Sequence, residues 1–471
     1  MLHSKYIRTL YSRTHKMKKF AIIILLLLVS CKADKKDSIS IGINSSDLII
    51  NEYLELREQV ASYSGTVLVA QKDSILHLKA YGMADRTTKD LNKIDTKFKV
   101  GSITKTFTAL AILQLQEKNK LSIENTLSEY IADFPNAEKI KIKHLLTHSS
   151  GIHGQWRDDW HEKRRLRFES IIKKISKKPM LFEPGQGEEY SNSGYALLAY
   201  IIEKVSGMTY EAYCEKYIFK PANMNNSGAI FYPEKEYNNF ATGHEYAPGL
   251  DGYNTNLKAE FVYTPNLKGQ ASAYSTVEDL YNYSLALKNN ELLNKSSMEL
   301  LMAKLPNSDF SLGNWYNGET KTNGPYFYFS GVSNGFESVI IRYTDKDITI
   351  IALNNHQNSD VYAITRTVGK ILGGQEIYLP SLRTATHFDI SKYRNLEGIY
   401  AYPDDSDDFF EIVIDNKRLF ILSNADPLEE LFLESHNKFF SENYDLQLDF
   451  SLEGECEYIY NGDDYIYLKK E

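Results

Sequence analysis

Two short stretches carry residue types able to do covalent chemistry together. Ser102-Ile103-Thr104-Lys105 sets a hydroxyl and an amine three residues apart. On a helix that spacing puts both side chains on one face, with Cβ atoms about 5–6 Å apart. An amine held there takes the hydroxyl proton once burial lowers its pKa. Gly101 lets the chain turn tightly into the helix, and the helix N-terminus favours negative charge developing at Ser102. Tyr190-Ser191-Asn192, further along, supplies a phenol able to relay a proton and an amide able to hold a substrate carbonyl or an ammonium. Each stretch also has a plain structural alternative. Ser102 can be an N-cap with Lys105 solvated, and Tyr190 a packed aromatic before a capping Asn192. The pattern around Lys105 weighs against the first alternative. Apolar residues ring that helix almost completely (Ile103, Phe107, Leu110, Ala111, Ile112, Leu113, Leu115), and a buried Lys needs a reason.

The elements that must position these groups follow from periodicity. An amphipathic helix is expected over 46–62 and a β-hairpin over 66–80, turning at Lys72-Asp73-Ser74. The buried helix at 102–117 follows. Helix signals continue at 140–146, 168–176, 195–205, 277–288 and 296–304; strand signals return at 326–330, 338–343 and 348–353. A helix-rich middle bracketed by strands predicts a sheet pairing N- and C-terminal strands, with helices packed on it and a helical insert between. After about Leu382 the character changes to short alternating runs separated by turn residues, the pattern of an all-β sandwich or barrel.

The motifs resemble those of the serine β-lactamase and penicillin-binding-protein-like family, in which S-x-x-K is the first signature. The second motif here is the Tyr-x-Asn variant of class C β-lactamases, D-Ala-D-Ala carboxypeptidases and esterase relatives. Asp95 to Lys105 resembles the family's lead-in to its nucleophile. Leu145-Leu146-Thr147-His148-Ser149-Ser150-Gly151 is similar to its LLTHTSG segment. Phe182-Glu183-Pro184-Gly185 before Tyr190 to Tyr195 resembles FxPG…YSNxGY, and Tyr274 to Leu280 resembles STxxDL. The resemblance spans roughly 47–375. It implies an α/β (α+β) fold of β-lactamase/transpeptidase type, with an antiparallel sheet flanked by helices, and a small barrel-like β domain appended. It makes Ser102 an acyl-enzyme nucleophile, with Lys105 and Tyr190 sharing its proton. Asn192 orients substrate, and the Ser102 N–H is one oxyanion donor.

The third motif departs from the family. Relatives carry Lys or His, then Thr or Ser, then Gly, on the strand lining the site. Here the aligned residues are Phe329-Ser330-Gly331-Val332, followed by Gly335-Phe336. Phe329 stands in the cationic position, Ser330 follows it, and Val332 supplies the second oxyanion N–H. The rival alignment, Lys321-Thr322-Asn323-Gly324, reads as a turn before Pro325. A Lys or His there would pair a substrate carboxylate; a phenyl ring leaves it unpaired at a cost. The expected chemistry is therefore cleavage of an ester or amide without a carboxylate at that position. The alternative is a degenerate scaffold that binds an envelope peptide or peptidoglycan fragment.

Charge and leader complete the expectations. Lys and Arg number 54 against 62 Asp and Glu. Residues 1–30 hold six of the bases and no acids, so the remainder has 48 bases against the same 62 acids. A chain so acidic excludes nucleic-acid binding through a broad basic surface. Met17-Lys18-Lys19 and the apolar run 20–29 suit a signal peptide. Leu28-Val29-Ser30-Cys31 resembles a lipobox, which makes Cys31 a lipidation site and the membrane a partner through a lipid anchor in the bacterial envelope. The expected division is a signal at 1–30, a tether at 31–46, a hydrolase domain at 47–380 and a β domain at 384–471. The partner is a small-molecule or peptide substrate, with no cofactor or metal. The polar loop holding His153, Asp158, Asp159 and His161 fits no metal template. That loop is expected to rim the pocket, with Trp156 and Trp160 placed to contact substrate; the plain alternative is a surface flap. Cys214 and Cys456 read as buried structural thiols.

Overall fold

The structure, a computed structural model, describes residues 45–157, 164–247, 254–259, 262–305, 308, 310–313, 315–357, 361–423, 429–441, 445–450, 454–460 and 463–470. The expected leader and Cys31 lie outside these, as do Asp158, Asp159, Trp160 and His161. Among the described residues no helix is long and apolar enough to cross a membrane.

Helix α1 (Ser45–Ala61) leads into the hairpin β1 (Gly65–Gln71) and β2 (Ser74–Tyr81). Lys72 and Asp73 both adopt positive φ at its turn, the geometry that matches strand twist. The sheet is completed by β3 (Tyr316–Thr320), β4 (Gly324–Ser333), β5 (Phe336–Tyr343) and β6 (Ile348–Asn354). Its order is β2-β1-β6-β5-β4-β3, and every pairing is antiparallel. The first and last strands thus meet along β1 and β6, from Gly65 opposite Asn354 to Gln71 opposite Ile348.

Alternation splits the sheet's two faces into two cores. Val67, Val69, Ile348, Ile350 and Ala352 face α1 and α9 (Val361–Leu372). Leu68, Ala70, Ile351 and Leu353 face the helical region. All seven residues of β6 are buried, because both its faces are covered. The helical region holds α2 (Thr104–Glu117), α3 (Ile142–Leu146), α4 (Phe168–Ser176), α5 (Asn192–Ser206), α6 (Tyr210–Cys214), α7 (Val277–Lys288) and α8 (Lys295–Met302). Residues 104 to 115 of α2 are all buried, as its apolar circumference demands.

The C-terminal region is a closed eight-stranded barrel, settling the open choice between sandwich and barrel. Its strands are β7 (Gly398–Tyr402), β8 (Asp405–Asp415), β9 (Arg418–Ser423), β10 (Glu429–Ser435), β11 (Lys438–Phe440), β12 (Leu446–Asp449), β13 (Glu455–Tyr460) and β14 (Asp463–Lys469). β7 pairs β14 to close it, and Tyr400, Phe410, Ile412, Leu419, Phe439, Leu448 and Cys456 fill the interior. The barrel is docked on α1 through buried charges. Asp445 lies 3.6 Å from Arg57 and 3.2 Å from Arg383. Cys214 and Cys456 are free and buried, and burial pushes the Cys214 thiol up to about 12, which suits inert packing.

Candidate active site

The nucleophile turn is clamped by β4. A short strand, Phe98–Lys99, pairs with Tyr274–Ser275, and the Val100 N–H donates to Ala273 O at 3.0 Å. Gly101 then turns at φ +49°; a Cβ there would sit 2.5 Å from Val332 O. A Cβ on Gly331 would lie 2.0 Å from Val100 O and 2.9 Å from Ser102 N. Two glycines therefore let the β4 backbone approach the nucleophile turn where side chains would collide. The backbone of Gly331 and Val332 runs beside the Ser102 N–H as a result. Ser102 itself lies on a 3₁₀ turn, Gly101–Ile103, and the regular helix begins at Thr104. The Thr104 hydroxyl ties the turn down, donating to Gly101 O at 2.7 Å and accepting from Ala273 N at 3.0 Å.

Lys105 is wholly buried. Its Nζ lies 3.1 Å from Ser102 Oγ, 2.7 Å from Asn192 Oδ1 and 2.9 Å from Gln270 O. The Tyr190 hydroxyl donates to Ser102 Oγ at 2.8 Å. The structure thus brings Ser102, Lys105, Tyr190 and Asn192 into one cluster. Burial holds the Lys105 amine well below the usual lysine range, and among the described residues no carboxylate opposes it. Burial drives the Tyr190 phenol up, and the hydrogen bond to Ser102 only partly offsets this. A neutral amine satisfies all three contacts: two N–H groups donate to Asn192 and Gln270, and the lone pair accepts the Ser102 hydroxyl. Ser102 Oγ in turn accepts from Tyr190. The rings of Tyr190 and Tyr195 lie 4.7 and 5.7 Å from the same nitrogen and would stabilise an ammonium once it forms.

His148 positions the second motif. It holds φ +57°, its Nδ1 accepts from Ser191 N at 3.0 Å, and its carbonyl accepts from Glu189 N at 2.9 Å. Its ring lies against Tyr190 with centroids 4.6 Å apart. Ser191 caps α5 by accepting from Gly194 N, which fixes Asn192 in the first turn facing Lys105.

The third motif is placed as follows. Phe329 is only 1 % exposed and packs against Trp315 and Tyr316, each with ring centroids 6.3 Å away. Ser330 is half-buried, and Val332 is exposed beside the nucleophile. Lys321-Thr322-Asn323 forms the β3–β4 turn at the opposite end of β4 from Gly331. Asn323 there is tied to α9 through Gly369 O.

One expectation is corrected. Trp156 is buried in the core at 2 % exposure, so it does not rim a pocket. The Gln270 carbonyl escaped the sequence, because a backbone acceptor has no residue signature. Among the described residues no cluster of His, Cys, Asp and Glu is arranged to hold a metal.

This constellation on a sheet-and-helix scaffold defines a class, and comparison with known proteins agrees. The chain belongs to the β-lactamase family, whose model matches residues 54–373. It is 30 % identical over 412 residues to penicillin-binding protein 4* of Bacillus subtilis (strain 168), covering 83 % of this chain and 90 % of that one. It is 25 % identical over 319 residues to the teichoic acid D-alanine hydrolase of Staphylococcus aureus (strain MRSA252), covering 66 % of this chain and 74 % of that one. The crystal structure of a penicillin-binding protein from Bacillus halodurans superposes with a TM-score of 0.58 at 28 % identity, covering 70 % of this chain and 99 % of that one.

Proposed function

We propose that this protein is a serine hydrolase of the cell envelope that cleaves an ester or amide through an acyl-enzyme on Ser102. The observation that carries this is the placement of Ser102 Oγ between a protonated phenol at 2.8 Å and a buried amine at 3.1 Å. Lys105 takes the hydroxyl proton as Oγ attacks the carbonyl carbon. The oxyanion is received by the N–H groups of Ser102 and Val332. Tyr190 gives its proton to the leaving group and regains one from the Lys105 ammonium; the neutral Lys105 then takes a proton from the water that attacks the acyl-enzyme and returns it to Ser102 Oγ as the acyl bond breaks. Asn192 keeps Lys105 aimed and meets the substrate amide.

Phe329, buried against Trp315 and Tyr316, supplies no counter-charge at the position where relatives carry a cation, which favours a substrate uncharged at that end. Two relatives bear names tied to penicillin and to a cell-wall polymer, which supports an envelope substrate and location. Cys31, in its lipobox-like setting, would supply a lipid anchor. Phe329 is also the one observation that favours a scaffold that binds without turnover. Steady-state hydrolysis of p-nitrophenyl butyrate and of a chromogenic cephalosporin separates the two. Ester turnover well above cephalosporin turnover, lost in Ser102→Ala, is expected. No turnover of either substrate would favour the binding scaffold.

A further inference from the structure

Lys99 stands apart from the cluster above. It lies three residues before Ser102 and is half-buried, pointing to the opposite side of the short strand from the core residue Phe98. Its Nζ sits 4.8 Å from the Phe231 ring centroid and 5.4 Å from that of Phe336. Among the described residues no carboxylate lies within ion-pair reach of it. A second cation, Lys258, on an exposed strand end, acts on it by repulsion. Burial and that neighbour lower the Lys99 ammonium to about 8. An unpaired cation held in a recess beside another cation is unfavourable unless something negative joins it.

Lys99 adjoins the site both along the chain and across the β4–β5 turn. Phe336 pairs across the β4–β5 turn with Ser333, the residue after Val332. Gly335 in that turn packs on Gly243 and on Ala259, the neighbour of Lys258. Lys99 therefore lies past the Ser333 end of β4. Phe329 lies on the other side of Val332, three residues back along the strand. Three residues of chain span at most about 10 Å, so a substrate of ordinary length reaches both Ser102 and the Lys99 recess.

We propose that Lys99, assisted by Lys258 and floored by Phe231 and Phe336, binds an anionic group of the substrate, a carboxylate or a phosphate. This rests on the hydrolase reading for the word substrate, but the anion site stands on its own geometry. The substrate would be uncharged on the Phe329 side and anionic on the Lys99 side.

Two measurements test this. The first is calorimetric binding of glutarate and of inorganic phosphate to the Ser102→Ala protein, with and without Lys99→Met; the variant keeps the aliphatic stem over the rings. Saturable binding weakened about 10-fold or more by Lys99→Met is expected. Tighter glutarate than phosphate would identify a carboxylate site, and the reverse a phosphate site. Equal binding with and without Lys99→Met, or no binding of either anion at about 10 mM, where a Kd near 1 mM would already saturate the site, overturns the proposal. The second is the ratio of kcat/KM for p-nitrophenyl hemiglutarate over p-nitrophenyl butyrate. It should fall about 10-fold in Lys99→Met and be restored in Lys99→Arg. An unchanged ratio contradicts the site, whereas absent turnover with intact anion binding contradicts only the hydrolase reading.

Discussion

Two sites of buried cations in this chain are treated in opposite ways. Arg57 and Arg383 sit at the barrel interface with Asp445 between them. Lys105 sits at the base of α2 with neutral partners: an amide, a carbonyl and a hydroxyl. A guanidinium cannot shed its proton, so burial demands a carboxylate. An amine can, so burial without a carboxylate makes a base. One arrangement holds two regions together, and the other prepares a proton acceptor beside Ser102.

Breaking each arrangement should give opposite phenotypes. Ser102→Ala has the largest effect. Turnover of an activated ester should fall by about 10⁴-fold or more, with the thermal midpoint unchanged. Lys105→Met follows, with a loss of about 10³-fold in kcat and a stability change no larger than that of an unsatisfied acceptor, about 1–3 kcal/mol. Asp445→Asn inverts this pattern. It removes the carboxylate shared by two buried guanidiniums, leaving Arg383 the more distant Glu434 at 4.0 Å, and should cost about 3–5 kcal/mol in denaturant unfolding, while kcat at low temperature stays unchanged. Tyr190→Phe should cost about 10²-fold, more for an amide than for an activated ester, because the poorer leaving group needs its proton.

The pH profile gives the smallest and most specific signature. Lys105 must be neutral to accept a proton, and its pKa lies below the ordinary 10.5. kcat/KM should therefore rise with pH and level off well before pH 10.5. Tyr190→Phe should leave this acid limb in place, and Lys105→Met should remove it. A limb that survives Lys105→Met would assign the base elsewhere.

Much of this was legible in the sequence because the relevant signals are local. The circumference of α2, the apolar run Ile350–Leu353 of β6 and the turn at Lys72-Asp73 each declare their place in residue types. The motif spacings likewise brought Ser102, Lys105, Tyr190 and Asn192 forward together. What was hidden depends on tertiary placement. β3 is an edge strand with no consistently buried face, so it shows no alternation to detect. Trp156 sits among polar loop residues, and only the surrounding core buries it. Barrel closure depends on the pairing of β7 with β14, which alternation within each strand does not encode. The approach of Gly331 to Ser102 is a backbone contact between segments far apart in sequence.

The claim on which the account turns is that Ser102 becomes acylated. The direct measurement is the intact mass of the soluble chain from after Cys31, taken seconds after mixing with an activated phenyl ester, with peptide mapping and Ser102→Ala alongside. The account predicts one added acyl group, mapped to the Ser102 peptide, absent from Ser102→Ala and lost with time. An unmodified mass under conditions where the ester is hydrolysed, or an adduct that persists in Ser102→Ala, would contradict it.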